Sequence, residues 1–218
     1  MDIASKITQI REKTDAYGAT LVAVTKTHPI ERIEEALSAG IADFGENRVQ
    51  ELQNKQPALP TARWHLIGHL QRNKVKYLAE YIHLIHSVEG LDLLMEINRQ
   101  GQRANRVIPC LLQCYIAKEE TKFGLEKPEL DALLLNTPWA DLQNISIDGL
   151  MGMATFTDNQ TQVRNEFKTL RRWFEEAKAT TLPPQVHMQT LSMGMSGDWQ
   201  LALEEGSTMV RVGSAIFG

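Results

Sequence analysis

Eight short apolar runs alternate with amphipathic stretches along this 218-residue chain. The runs fall at residues 21–24, 41–44, 64–67, 81–86, 107–115, 145–153, 186–191 and 208–212. They are short and mostly rich in branched side chains, the pattern of strands covered on both faces, as parallel strands are. Helices are predicted between them, opened by prolines at 29 and 128 and closed by glycines at 18 and 40. The longest, over 161–179, places Val163, Phe167, Leu170 and Phe174 at helical spacing. Shorter ones are expected over 71–80, 91–101 and 199–204. Strict alternation implies parallel strands, and eight of them point to an α/β fold closed as a (β/α)8 TIM barrel. A doubly wound open sheet is the runner-up. The barrel is favoured because a helix over 2–17 precedes the first strand while none is expected after the last. That extra N-terminal helix can take the empty place in the outer ring. Residues 1–218 then form one domain, without linker or low-complexity tract.

Composition narrows the function classes. With 43% hydrophobic and 23% charged residues the chain is neither disordered nor membrane-spanning. A formal net charge of −4, with scattered basic residues, argues against nucleic acid as a partner. The N-terminus has an acidic second residue and helical periodicity, unlike a signal peptide, so a cytoplasmic protein is expected. Cys110 and Cys114 share a strand face too far apart to bridge, and buried reduced thiols fit that compartment.

In a barrel the working residues lie at the carboxyl ends of the strands. Lys26 ends the first, immediately after Val24-Thr25. A lysine there either snorkels to water or is kept among apolar groups as a nucleophile. Asn47 follows the second strand, Gly68 and His69 the third, and Met151-Gly152-Met153 closes the sixth. The seventh ends in Leu191-Ser192-Met193-Gly194-Met195-Ser196-Gly197 and the eighth in Arg211-Val212-Gly213-Ser214. Such Ser/Gly turns either connect elements or offer N–H groups and hydroxyls to an anion, and the loops after strands seven and eight are the usual phosphate site of this architecture. Lysine facing a phosphate cradle suggests pyridoxal phosphate (PLP) held as a Schiff base, or a phosphosugar forming an imine. Arg211 either faces the pyridine nitrogen, keeping it unprotonated, or forms a salt bridge at the barrel mouth with Asp148 or Glu46.

These residues resemble the pyridoxal phosphate homeostasis protein family, barrels related to the N-terminal domain of the fold type III alanine racemases. The likeness spans the whole chain and rests on six blocks in order. They are Val24-Thr25-Lys26, Phe44-Gly45-Glu46-Asn47-Arg48-Val49-Gln50-Glu51, the 65–74 stretch from His65 through Gly68-His69, Gly149-Leu150-Met151-Gly152-Met153, the 191–198 loop and the 211–218 terminus. The resemblance implies PLP as a covalent aldimine on Lys26, with Ser192, Gly194, Met195, Ser196, Gly213 and Ser214 around the phosphate. It places Arg211 at the pyridine nitrogen, Asn47 beside the cofactor, and Met153 and His65 on the pocket wall. Lys122 is assigned a pocket role in the 117–123 loop, the segment that matches least well.

The resemblance also implies a non-catalytic role in intracellular PLP (vitamin B6) homeostasis and amino-acid/keto-acid balance. The partners implied are PLP and PLP-dependent apoenzymes, with neither nucleic acid nor membrane, and a monomer is expected. A small PLP-dependent racemase or lyase using the same lysine is the alternative, and a cofactor-free phosphosugar enzyme a third. Racemisation needs a second acid/base opposite the lysine, which the fold type III enzymes take from the C-terminal domain of a partner subunit, and no such domain is expected here, with six residues after Val212. The pairs His65/His69 and His83/His86 have no matching cysteine or carboxylate spacing and are read as structural, and the four tryptophans as core anchors.

Overall fold

The first and last of eight parallel strands pair with each other, which closes the sheet. The computed structural model describes residues 2–119 and 123–218, so Lys122 lies outside the described residues. The strands are β1 (Thr20–Val24), β2 (Asp43–Glu46), β3 (Arg63–Leu66), β4 (Leu84–Val88), β5 (Ile108–Cys114), β6 (Ile145–Gly152), β7 (Val186–Ser192) and β8 (Met209–Val212), each hydrogen-bonded to its sequence neighbours. The α-helices are α1 (Ile3–Ala16), α2 (Ile30–Ser38), α3 (Val49–Lys55), α4 (Leu91–Arg103), α5 (Lys127–Asn136), α6 (Gln160–Lys178), α7 (Trp199–Glu204) and α8 (Ser214–Phe217). The fold is the (β/α)8 TIM barrel, and the open sheet is excluded.

Two elements differ from expectation. The predicted 71–80 helix is a 3-10 turn over Arg72–Tyr77. Val75 and Leu78 are fully buried three residues apart, a spacing that the tighter turn lines up on one side. A four-residue helix, α8, does follow the last strand. The N-terminal helix still seats in the outer ring, against β1, α2 and α8. It buries Ile3, Ile7 and Ile10, and Asp2 caps it by accepting from Ser5 N at 2.8 Å.

Most of the apolar core lies between sheet and helices, where all four tryptophans and both free cysteines are buried. Burial pushes both thiols up, so they stay protonated and inert. Inside the barrel, Val22, Leu84, Leu111, Met151 and Met209 form a separate apolar plug. The period of two along each strand fixes what else points inward. Val22 pairs with Arg211, His65 with Leu84, and Ser192 with both Met151 and Met209. Polar residues share the inside with it, and Asp43, His65, His86, Gln113, Ser192 and Arg211 are all buried.

Candidate functional site

A cavity of about 910 Å³ opens at the carboxyl ends of the strands. Lys26, Asn47, Met153, Met195, Ser196, Arg211, Gly213 and Ser214 all line it, drawn from loops far apart in sequence. Gly194 and Ser192 are not on its wall. Gly194 supports the loop from behind: its φ is +96°, a Cβ there would stand 2.5 Å from Ala202 Cβ, and its carbonyl accepts from Arg211 N at 3.0 Å. His65 does not line the cavity either. It is fully buried inside the barrel, which corrects its expected place on the wall.

Lys26 lies two residues beyond the end of β1 and is exposed. The picture of an amine packed among apolar groups is thus corrected, since the chain turns outward after the buried Thr25. The turn is strained, because Thr27 adopts φ +66°, a conformation that opposes a β-branched side chain. A buried ionic cluster holds it. Glu51 of α3 accepts from Thr27 N at 2.8 Å, and Lys55 of the same helix donates to Thr25 O at 2.8 Å. Lys55 and the Thr25 hydroxyl each donate to Glu46 Oε1 at 2.6 Å. Burial raises the pKa of Glu46 against the opposing pull of those two donors, and its Oε2 has no partner among the described residues. The loop after β2 is set as closely: a Cβ on Gly68 would stand 2.4 Å from the Asn47 carbonyl oxygen, so only glycine lets Asn47 keep its position.

The two Ser/Gly loops are stapled together. Ser196 Oγ accepts from Gly213 N at 3.0 Å and Ala215 N at 3.4 Å, and Asp198 Oδ1 accepts from Met195 N at 2.6 Å. The N–H groups of Ser196, Gly197 and Ser214 have no acceptor among the described residues, and all three residues line the cavity. Clustered open amides of this kind suit an anion.

Arg211 is the buried cation of the site. Its Nη1 donates to Ser192 Oγ at 2.6 Å and its Nη2 to the Gly152 carbonyl at 3.1 Å. Neither expected salt-bridge partner reaches it, since Asp148 accepts from Ser146 and Glu46 from Lys55. Among the described residues no carboxylate lies within 4.0 Å of the guanidinium, and burial lowers its pKa to about 10. Asp198 opposes that shift from a distance, and a buried cation without a counter-charge in contact is costly unless its remaining donors meet an acceptor. Behind it runs a line of hydrogen bonds. Ser192 Oγ lies 3.1 Å from His86 Nδ1, His86 Nε2 lies 3.0 Å from His65 Nδ1, and His65 Nε2 lies 2.9 Å from Asp43 Oδ1.

The sequence reading missed Asp43, Glu46, Glu51, Lys55, Thr27 and His86 as supports of the site. The available signal was Asp43 inside the predicted 41–44 strand, where burial demands a partner; Glu46 fell beyond that strand although it ends β2.

Over residues 2–218 the sequence matches the family of alanine racemase N-terminal domains. A pyridoxal phosphate homeostasis protein of Aquifex aeolicus (strain VF5) is 40% identical over 202 residues, spanning 92% of this chain and 86% of that protein. The protein of the same name in Escherichia coli (strain K12) is 35% identical over 231 residues, spanning 100% and 96%. PipY of Synechococcus elongatus PCC7942, solved without PLP, is 36% identical with a TM-score of 0.92, and the coverage of both chains is 100%. With PLP bound, PipY gives a TM-score of 0.89. An alanine racemase from Bartonella henselae, 18% identical, shares the fold with a TM-score of 0.72, covering all of this chain and 59% of its own. Matched at these identities along its length, the chain belongs to the alanine racemase N-terminal domain family and, within it, to the pyridoxal phosphate homeostasis proteins.

Proposed function

We propose that residues 1–218 act as one unit that holds PLP as a Schiff base on Lys26. The protein would store and deliver the cofactor in the cytoplasm, as a monomer, to PLP-dependent apoenzymes, supporting PLP homeostasis and amino-acid/keto-acid balance without catalytic turnover. One observation carries the reading. A single cavity presents a lysine amine, three open backbone amides and a buried guanidinium whose acceptors among the described residues are a hydroxyl and a carbonyl.

These groups fit the parts of PLP. Lys26 would offer its amine to the aldehyde, and the amides of Ser196, Gly197 and Ser214, beside the hydroxyls of Ser196 and Ser214, would hold the phosphate. Arg211 would offer a donor to the ring nitrogen, and Asn47 and Met153 would border the ring. Bound there, the cofactor would supply an electron sink for carbon acids. Arg211 weakens that sink, because a guanidinium donates and does not give up its proton at neutral pH. The exposed position of Lys26 admits water to the reacting end, which loosens the electrostatic control that turnover needs.

The test is borohydride reduction of the yellow protein, followed by mass mapping of the modified lysine. A pyridoxyl adduct on Lys26, and loss of the visible band in Lys26→Ala, are expected. An adduct elsewhere, or a protein that PLP cannot colour, overturns the reading. Rapid loss of optical activity from single amino acids would instead establish the racemase alternative.

A further inference from the structure

The line of hydrogen bonds behind Arg211 has fixed ends, and they determine where every proton in it lies. At one end Arg211 can only donate, so Ser192 Oγ accepts from it. At the other end Asp43 is ionised. Burial opposes the charge, yet hydrogen bonds from His65 and Arg63 outweigh it and hold the carboxyl at about 2. Asp43 therefore only accepts, and His65 donates to it from Nε2. Burial keeps both imidazoles neutral, so each has one donor and one acceptor nitrogen. Counting inward from Asp43, His65 Nδ1 accepts from His86 Nε2, and His86 Nδ1 accepts from the Ser192 hydroxyl. Both histidines carry their proton on Nε2, and donation runs from Arg211 through Ser192, His86 and His65 to Asp43.

This line connects the two ends of the barrel. Arg63, whose side chain is 52% exposed, binds Asp43 through Nε at 2.8 Å and Nη2 at 2.5 Å, while Arg211 faces the cavity. Asp43, His65 and His83 also bring one potential metal-ligating atom each within 4.8 Å of the others. Those groups are already spent: Arg63 takes both Asp43 oxygens, and both nitrogens of His65 are bonded.

We propose that Asp43, acting through His65, His86 and Ser192, is a positioning residue that sets the direction of hydrogen bonding at Arg211, and thereby the affinity and absorption of PLP in the cavity. The proposal rests on the reading that PLP places its ring nitrogen at Arg211. Asp43→Ala is the informative change, because it removes the acceptor that fixes the His65 tautomer. Asp43→Asn is not, since Oδ1 accepts from both Arg63 Nε and His65 Nε2, and an amide oxygen in that place keeps the wild-type tautomers. Without an acceptor at its Nε2, His65 no longer has to carry its proton there. Where both imidazoles carry it on Nδ1, the Ser192 hydroxyl proton is left without an acceptor beside Arg211.

The experiment is 15N NMR of histidine-labelled protein, with PLP titration followed by visible absorption. In the wild type, His65 and His86 are expected as neutral Nε2–H tautomers with or without PLP. In Asp43→Ala the pure Nε2–H signature is expected to be lost at both, with a shifted visible band and about tenfold weaker PLP binding, the scale of one hydrogen bond to a charged group. An Nδ1–H tautomer at either histidine of the wild type overturns the inference. So does a folded Asp43→Ala protein with unchanged band and affinity. Ser192→Ala supplies a second variant if Asp43→Ala folds poorly. It should leave both tautomers as they are and weaken PLP binding to a similar extent, and unchanged binding there also counts against the proposal. A wild type that takes up no PLP overturns the cofactor reading and the coupling to affinity together, while the tautomer assignment is decided by the imidazole spectrum alone.

Discussion

Single residues around the cavity hold conformations that the chain would not adopt unaided. Thr27, at φ +66°, is kept there by Glu51 accepting its N–H, and β-branched residues in that region cost about 1–2 kcal/mol. Thr27→Gly should therefore raise stability by about 0.5–1 kcal/mol, the strain relieved less the extra chain entropy of glycine. Denaturant melts of the two proteins check this, and a destabilised variant would show that Thr27 is not strained. Asp43 gives a pH-dependent prediction. Its pKa is lowered to about 2 in the folded protein from an ordinary 3.8. A lowered carboxylate contributes stability above its unfolded pKa and loses it as pH falls toward the folded value. Discounted for its partial solvent access, the contribution is about 1–2 kcal/mol. Wild type should exceed Asp43→Asn by that amount at pH 7, and the gap should close between about pH 5 and pH 2. A gap independent of pH would mean that the charge of Asp43 is not what stabilises.

At the scale of elements, α3 matters less as a cover for the sheet than as the clamp on the Lys26 turn. Glu51 and Lys55 stand one helical turn apart and reach Thr27 N and Thr25 O, while Glu46 at the end of β2 completes the cluster. Removing the cation leaves Glu46 buried with one donor, and breaking a buried pair costs about 3–5 kcal/mol. Lys55→Met should lose stability on that order, and the double variant Glu46→Leu/Lys55→Met should lose clearly less than the sum of the singles. An additive double-mutant cycle in urea melts would exclude a coupled pair. This cluster was hidden in the sequence for a physical reason. Hydropathy placed the second strand at 41–44, whereas β2 runs over Asp43–Glu46, so the buried charges fell at or beyond its predicted edge. The loops after β7 and β8 were legible because Ser/Gly turns advertise open backbone. Their staple through Ser196 was not, because it joins residues 17 apart in sequence.

At the scale of the molecule, alternation alone conveyed the barrel, since eight parallel strands with helical crossovers have few ways to bury both faces. What alternation could not convey is what fills the inside. Inward positions look like any buried strand residue until the register is known, so Asp43, His65, His86, Ser192 and Arg211 read as scattered polar residues rather than one line through the barrel. Arg211 ends that line as a buried cation facing a cavity, and a ligand acceptor placed there stabilises the folded state only. Binding to the folded form raises stability by about 2.7 kcal/mol at a ligand concentration of 100 Kd. For a chain of this length that corresponds to a rise in Tm of about 5–10 °C. Wild type saturated with PLP should show it, and Lys26→Ala should keep part of it, because the phosphate and ring contacts survive loss of the tether. Arg211→Ala should instead lower the Tm without PLP, since it empties a buried polar site. Scanning calorimetry with and without PLP separates the three. A Tm that PLP leaves unmoved in the wild type would mean that the cavity does not hold the cofactor, whatever the shape of its walls.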